Sequence, residues 1–142
     1  MKVAIGGDHA GYKLKEKLKD FISELGHDVK DFGPSSEESC DYPDIAHPIA
    51  KSVKSGENNL GIAICGSANG INMTLNKHAG IRSAIAWNNE LASLARQHND
   101  ANILALPARF IDIDTAKEAV KTFLETEFEG GRHQRRVDKI DL

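Results

Sequence analysis

The sequence predicts an α/β fold, a three-layer α/β/α sandwich built on five parallel strands and followed by a basic C-terminal tail. Three observations carry that prediction. Short β-branched runs alternate with amphipathic helical patterns along almost the whole chain, and parallel strands joined by right-handed helical crossovers make a sheet covered on both faces. Leu60 to Ile64 is apolar throughout, the pattern of a central strand with no solvent-facing side. That run stops at Cys65 and opens into Gly66-Ser67-Ala68-Asn69-Gly70, which sets polar groups at a strand's carboxyl end, where open α/β sheets bind ligands.

Taken in order, Lys2 to Gly6 is a first strand. Tyr12 to Leu25 places Leu14, Leu18, Phe21, Ile22 and Leu25 at helical spacing with lysines between them, and Gly26 follows as a C-terminal cap. Asp28 to Phe32 is a modest second strand, and Gly33 to Asp41 a polar loop. Asp44 to Ser55 carries Ile45, Ile49 and Val53 at four-residue steps towards Gly56, with Pro48 either kinking the helix or delaying its start. After the central strand, Asn69 to Lys77 reads as a short helix, Ile81 to Ala86 as the fourth strand and Glu90 to Gln97 as an amphipathic segment. Asn102 to Leu106 is the fifth strand, and Asp114 to Phe128 a helix with Ala116, Ala119, Val120, Phe123 and Leu124 inward. The result is a Rossmann-like sheet in one domain spanning residues 1–142.

The composition limits what such a domain can do. At 142 residues and 40% hydrophobic, the chain has enough apolar material for a proper core. Its formal net charge of -3, from 18 basic and 21 acidic residues, does not match nucleic acid or an anionic membrane. Cys40 and Cys65 make no disulfide framework and are expected to be reduced. Met1 to Ile5 leads straight into Gly6-Gly7-Asp8-His9 with no signal pattern, and no apolar run approaches membrane-spanning length; the expectation is a soluble cytoplasmic protein.

The familiar phosphate and nucleotide motifs are excluded one by one. Gly6 to Gly11 has the glycine spacing of a P-loop, but Tyr12 stands where lysine is required. The dinucleotide pattern G-x-G-x-x-G fails there and at Gly66 to Gly70. Ile71 and Asn72 follow Gly70 where a cysteine phosphatase needs arginine, and a receiver domain would want aspartate in place of Cys65. The six histidines form no HExxH and no cluster with zinc spacing, so a metal site is not expected. What remains is a polar set at the predicted loop ends: Asp8 and His9, Cys65 and Ser67, and His98-Asn99. Arg132 and Arg136 lie in the tail at i and i+4, sharing a face if the tail is helical, and paired guanidinium forks suit a phosphate monoester. A thiolate base favoured by loop N–H donors, a histidine acid and a phosphate clamp suit proton transfer next to a carbonyl.

Several ordered motifs also resemble one family over essentially the whole chain. Gly-Gly-Asp-His-Ala-Gly at 6 to 11, Asp41-Tyr42-Pro43, Ile64-Cys-Gly-Ser through Gly70, Asn76-Lys77 with Gly80-Ile-Arg82, Arg96 to Asn102, Arg109, and Glu129 to Arg136 are similar to the type B ribose-5-phosphate isomerases, in the group that also holds the galactose-6-phosphate isomerase subunits. The resemblance implies a cofactor-free, metal-free aldose-ketose isomerase with Cys65 as the base and His98 opening the furanose ring. It implies that the backbone of Gly66, Ser67, Ala68, Asn69 and Gly70 holds the enediolate oxygens and that Ser67 assists the thiol. Asp8, Tyr42 and Asn99 would bind sugar hydroxyls, and His9, Arg132 and Arg136, with Arg109 nearby, the phosphate. Dimers or dimers of dimers, with active sites shared between subunits, follow from the same resemblance. Ala68 stands where the family usually has a glycine and Pro107 where glycine often occurs; a positive φ at Ala68 would cost roughly 1 kcal/mol. Some members carry a glutamate base at the position of Ile71, so here Cys65 has no carboxylate rival. The competing expectations are isomerisation of a hexose 6-phosphate such as allose or galactose 6-phosphate, and a phosphate- or nucleotide-sensing module whose cysteine is silent.

Overall fold

The computed structural model describes all 142 residues. Five strands, β1 (Lys2–Gly7), β2 (Asp28–Asp31), β3 (Leu60–Cys65), β4 (Ser83–Ile85) and β5 (Ile103–Pro107), form one all-parallel sheet in the order β2-β1-β3-β5-β4. The helices are α1 (Tyr12–Glu24), α2 (Tyr42–Lys54), α3 (Asn69–Leu75), α4 (Asn89–Asn99), α5 (Ile113–Glu125) and α6 (Arg132–Val137), with a single 3-10 turn over His9–Gly11. No helix is long and apolar enough to cross a membrane.

The strand pleat divides the core into two clusters. Val3, Ile5, Leu60, Ile62, Ile64, Leu104 and Leu106 pack with Leu18 and Ile22 of α1, Ala92 and Ala95 of α4, and Val120 and Phe123 of α5. Ala4, Ala63, Cys65 and Ile103 face the other way, towards Ile49 and Val53 of α2 and Ile71 and Leu75 of α3. Every residue of β3 is buried, which is why its sequence lacks the alternation of a one-sided strand. The Cys65 side chain therefore belongs to the α2/α3 face.

The chain order places a crevice at one point. From β1 the chain crosses by α1 to the edge strand β2, and from β2 it returns by α2 on the opposite face to β3. The crossovers diverge outside the carboxyl ends of β1 and β3, the topological switch point of an open sheet. Glycines let the two strand ends meet there: a Cβ on Gly7 would stand 2.3 Å from the Ile64 carbonyl oxygen, and one on Gly11 2.8 Å from it. Asp8 N–H donates to that same carbonyl at 3.0 Å.

Of the boundaries that differ from the sequence reading, three do so for identifiable reasons. Helix α2 begins at Tyr42, earlier than the apolar pattern indicates and not later, because Pro43 falls in the first turn, where its missing N–H is not needed; the helix continues through Pro48. Helix α4 runs on to Asn99 and ends at Asp100 in the left-handed region, so His98 and Asn99 lie just before the fifth strand, as the sequence indicates, but in the last turn of a helix and not on a loop. Helix α5 stops at Glu125, and Thr126 is already extended, three residues short of Phe128. Gly26 and Gly56 both have positive φ after α1 and α2, the capping role that the sequence suggests for Gly26.

Candidate active site

Cys65 ends β3 and is 7% exposed, as is Asp8, the first residue beyond β1. The Cys65 thiol donates to Asp8 Oδ2 at 3.2 Å. The other carboxylate oxygen, Oδ1, accepts from the Gly11 N–H at 3.1 Å and so caps the turn over His9–Gly11. A thiol and a carboxylate 57 residues apart are thus held as a fixed pair. Burial pushes the Cys65 thiol up from its ordinary 9.0 to about 11, helped by the hydrogen bond to Asp8 and the charge of that carboxylate, while the Gly66 and Ile71 amides pull it down. This corrects the sequence-based view that the loop donors make the thiolate the favoured form: in one chain, desolvation and Asp8 outweigh them.

The loop after Cys65 is shaped by its neighbours. Ala68, fully buried, is the N-cap of α3 with φ 69°, so the position does require the left-handed backbone. Tyr42, from the start of α2, lies over Gly70, where a Cβ would meet the ring at 2.4 Å. Arg109, just past β5, covers Gly66, with Nη1 only 3.3 Å from a Cβ built there. The Arg109 N–H also donates to the Gly66 carbonyl at 3.1 Å, and the Ala108 N–H to that of Cys65 at 2.8 Å. Ser67 and Asn69 are exposed at the loop's tip. His9 Nδ1 accepts from the Cys40 N–H at 3.4 Å, so the loop from Gly33 to Asp41 borders the same crevice. Asp8, His9, Tyr42, Cys65 to Gly70 and Arg109 therefore form one surface.

His98, Asn99, Arg132 and Arg136 are elsewhere in the chain. Asn99 lines a shallow cleft with Asn76, Arg82, Ser83 and Ile140. It is followed by Asp100, Ala101 and Asn102, which lead into β5 at Ile103, level with Gly61 at the amino end of β3. Cys65 is four residues further on, level with Pro107, a separation of about 13 Å along the strands at a rise of about 3.3 Å per residue. The tail is anchored to this opposite end of the sheet, where the Glu129 N–H donates to the Gln97 carbonyl at 3.1 Å. The His133 ring stacks on His98, with centroids 4.3 Å apart and planes 12° from parallel. Because α6 is helical, Arg132 and Arg136 share a face, and both are exposed and without an ion pair within the chain. Within one chain the predicted site residues thus fall into two groups, at opposite ends of the sheet.

Glu129 and His133, to which the sequence reading gives no role beyond their place in the Glu129 to Arg136 motif, lie beside His98. Glu129 Oε1 lies 3.8 Å from His98 Nε2 and 3.6 Å from His133 Nε2. Their i, i+4 spacing is visible in the sequence, but His98 is 31 residues away and is brought in only by the packing of the tail on α4. Burial and the neighbouring positive charges push the His133 imidazole pKa down.

A parallel α/β sheet with a thiol-carboxylate pair at its switch point, bordered by loop amides and an arginine, defines a small-molecule enzyme of the acid-base type. Within that class, the chain belongs to the ribose/galactose isomerase family, whose sequence profile matches residues 3–140. Ribose-5-phosphate isomerase B of Escherichia coli (strain K12) is 43% identical over 139 residues, covering 98% of this chain and 93% of that one. The structure of Clostridium thermocellum ribose-5-phosphate isomerase B superposes with a TM-score of 0.97 at 50% identity, covering 99% of this chain and 95% of that one. That of the Mycoplasma genitalium ribose-5-phosphate isomerase B with bound ribulose-5-phosphate gives 0.94 at 40% identity, with 98% and 93% covered.

Proposed function

We propose that this protein interconverts D-ribose 5-phosphate and D-ribulose 5-phosphate, with Cys65 as the proton-transfer base, in sites completed by a second copy of the chain. The observation that carries the chemistry is the Cys65–Asp8 pair, 3.2 Å apart at the switch point. His98 opens the furanose by taking the anomeric hydroxyl proton and delivering a proton to the ring oxygen as the C1–O bond breaks. Cys65 then removes the C2 proton of the open aldose, leaving an enediolate whose oxygens are met by the N–H groups of Gly66 to Gly70. Return of that proton to C1, with transfer of the hydroxyl proton from O2 to O1, gives the ketose. Asp8, Tyr42 and Asn99 hold sugar hydroxyls; His9, Arg109, Arg132 and Arg136 hold the phosphate.

The thiol's raised pKa fits this sequence of events. When a sugar hydroxyl donates to Asp8, part of the carboxylate charge that opposes ionisation is satisfied, and a cationic half-site brought in by a second copy lowers the thiol further. A second copy is supported by the separation of the two half-sites. It is supported too by exposed apolar side chains at the strands' carboxyl ends, Trp87 beyond β4 and Phe110 beyond β5, which are 55% and 73% exposed; large apolar surface of this kind marks contact faces.

The test is turnover of ribose 5-phosphate in EDTA by the native protein and by Cys65→Ala. The substitution should lower kcat by about 10²- to 10⁴-fold, the usual share of a general base, with sugar-phosphate binding by calorimetry retained. Native turnover of a hexose 6-phosphate but not of the pentose would move the substrate assignment. Binding without turnover of either would replace the isomerase with a sensing module.

A further inference from the structure

We propose that His98, Glu129 and His133 form a binding site for a divalent transition-metal ion of the zinc class, and that its occupation switches the protein off. Their three ligand atoms all lie within 4.8 Å of one another. The carboxylate oxygen stands 3.6 and 3.8 Å from the two Nε2 atoms. In a tetrahedral zinc site with bonds of about 2.0–2.1 Å, ligand atoms are about 3.3–3.4 Å apart. The Glu129 oxygen is therefore within a few tenths of an ångström of a ligand's distance from each Nε2, whereas the two rings, stacked 12° from parallel, must turn well apart before their in-plane lone pairs meet on one ion.

The backbone segments that carry the three donors are held together before any ion arrives. His98 is in the last turn of α4, the Glu129 backbone is bonded to Gln97 in that same turn, and His133 stands in the first turn of α6, four residues beyond Glu129. Two imidazoles with one carboxylate select zinc, copper or nickel over magnesium or calcium, which take all-oxygen shells. Arg132 and Arg136, on the same helix, repel a cation and add to that selection, since only an ion with strong imidazole bonding overcomes them. Three protein ligands leave a fourth position open, as in zinc sites that bind water or an exchangeable group.

Metal binding is independent of the proposed activity, but the inhibition rests on the isomerase reading, because an ion would take the Nε2 lone pair with which His98 opens the sugar ring. The experiment uses full-length protein stripped with EDTA, titrated with Zn2+ by calorimetry and with Co2+ by visible absorption. One ion per chain and the d–d bands of tetrahedral Co2+ are expected. Glu129→Gln and His133→Ala should each weaken binding by more than the roughly 10- to 100-fold typical of losing an outer-shell partner. His47→Ala and Cys65→Ala should leave binding unchanged. They control for the other donors able to take zinc, the hydrogen-bonded pair His47 Nδ1 and His78 Nε2 at 2.6 Å and the thiol. Absence of binding, survival of full affinity in both Glu129→Gln and His133→Ala, or its loss in His47→Ala would overturn the site. Turnover that stops with Zn2+ and returns with EDTA supports the switch. Tight binding with turnover unaffected would leave the site standing and remove His98 from ring opening.

Discussion

Burial and Asp8 together raise the Cys65 thiol, and the two effects can be separated by one substitution. Burial raises the thiol whatever Asp8 does, whereas the hydrogen bond and the negative charge vanish in Asp8→Asn. The thiol is an acid whose charged form is disfavoured by a nearby anion, so removing that anion lowers its pKa from the value of about 11. The pH dependence of Cys65 alkylation by iodoacetamide should therefore move to lower pH in Asp8→Asn; a profile unmoved or shifted upward would mean that burial alone sets the thiol's acidity. Both residues are legible in the sequence as polar groups beyond apolar strands. Their pairing is not, because the sequence exhibits the loop amides that favour a thiolate but neither its burial nor a carboxylate 57 residues away that opposes it.

Among the elements, the start of α3 shows how a departure from the family pattern is tolerated. Ala68 holds φ 69° with its methyl fully buried. Left-handed backbone costs alanine about 1–2 kcal/mol, but glycine would lose about 0.4–1 kcal/mol through the unfolded chain and about 0.8 kcal/mol of methyl burial. The terms nearly cancel. Ala68→Gly should change stability by less than about 0.5 kcal/mol, whereas Ala68→Val, β-branched at positive φ, should lose about 2 kcal/mol or more, both read from urea unfolding. Helix α1 supplies a second case through Lys15, which is fully buried. Its Nζ donates to both Asp31 oxygens at 2.9 and 2.7 Å, to Glu16 at 3.1 Å and to the Pro34 carbonyl at 2.8 Å, fixing the start of the loop that borders the crevice. Burial alone would raise the Asp31 carboxyl, but hydrogen bonds from Lys15, Lys19 and the Gly33 amide hold it below its ordinary 3.8. A depressed carboxylate stabilises the fold above 3.8, and that contribution is lost as pH falls from there through the lower folded value. Lys15→Met should cost about 2–3 kcal/mol at pH 7, less than a fully buried pair because Asp31 keeps Lys19 and some water, and should lose stability less steeply below pH 3.8. Strands and helix faces were legible from periodicity. A lysine read as one more polar residue between apolar positions was not, since burial of a charge depends on acceptors from β2 and the following loop.

At the scale of the whole molecule, the separation of the two groups of predicted site residues bears on what a functional unit is. The sequence places His98, Asn99, Arg132 and Arg136 near Cys65 only by resemblance; the sheet separates them by its own length, and nothing in the local pattern of either half reports that distance. If a twofold pairs the carboxyl-end half-site of one chain with the α4–α6 half-site of the other, each dimer has two composite sites. Cys65→Ala and His98→Ala are then both inactive alone, since each spoils both sites of its own dimer. In a mixed dimer, the two lesions fall in the same site and the other site is intact. Random re-pairing of equal amounts makes about half the dimers mixed, so specific activity should recover to about a quarter of native. Mixing the two variants under conditions that exchange subunits, then assaying ribose 5-phosphate turnover, measures this directly. Recovery near a quarter requires composite sites, because sites lying within one chain would each keep their lesion in every pairing and activity would stay at the level of the separate variants.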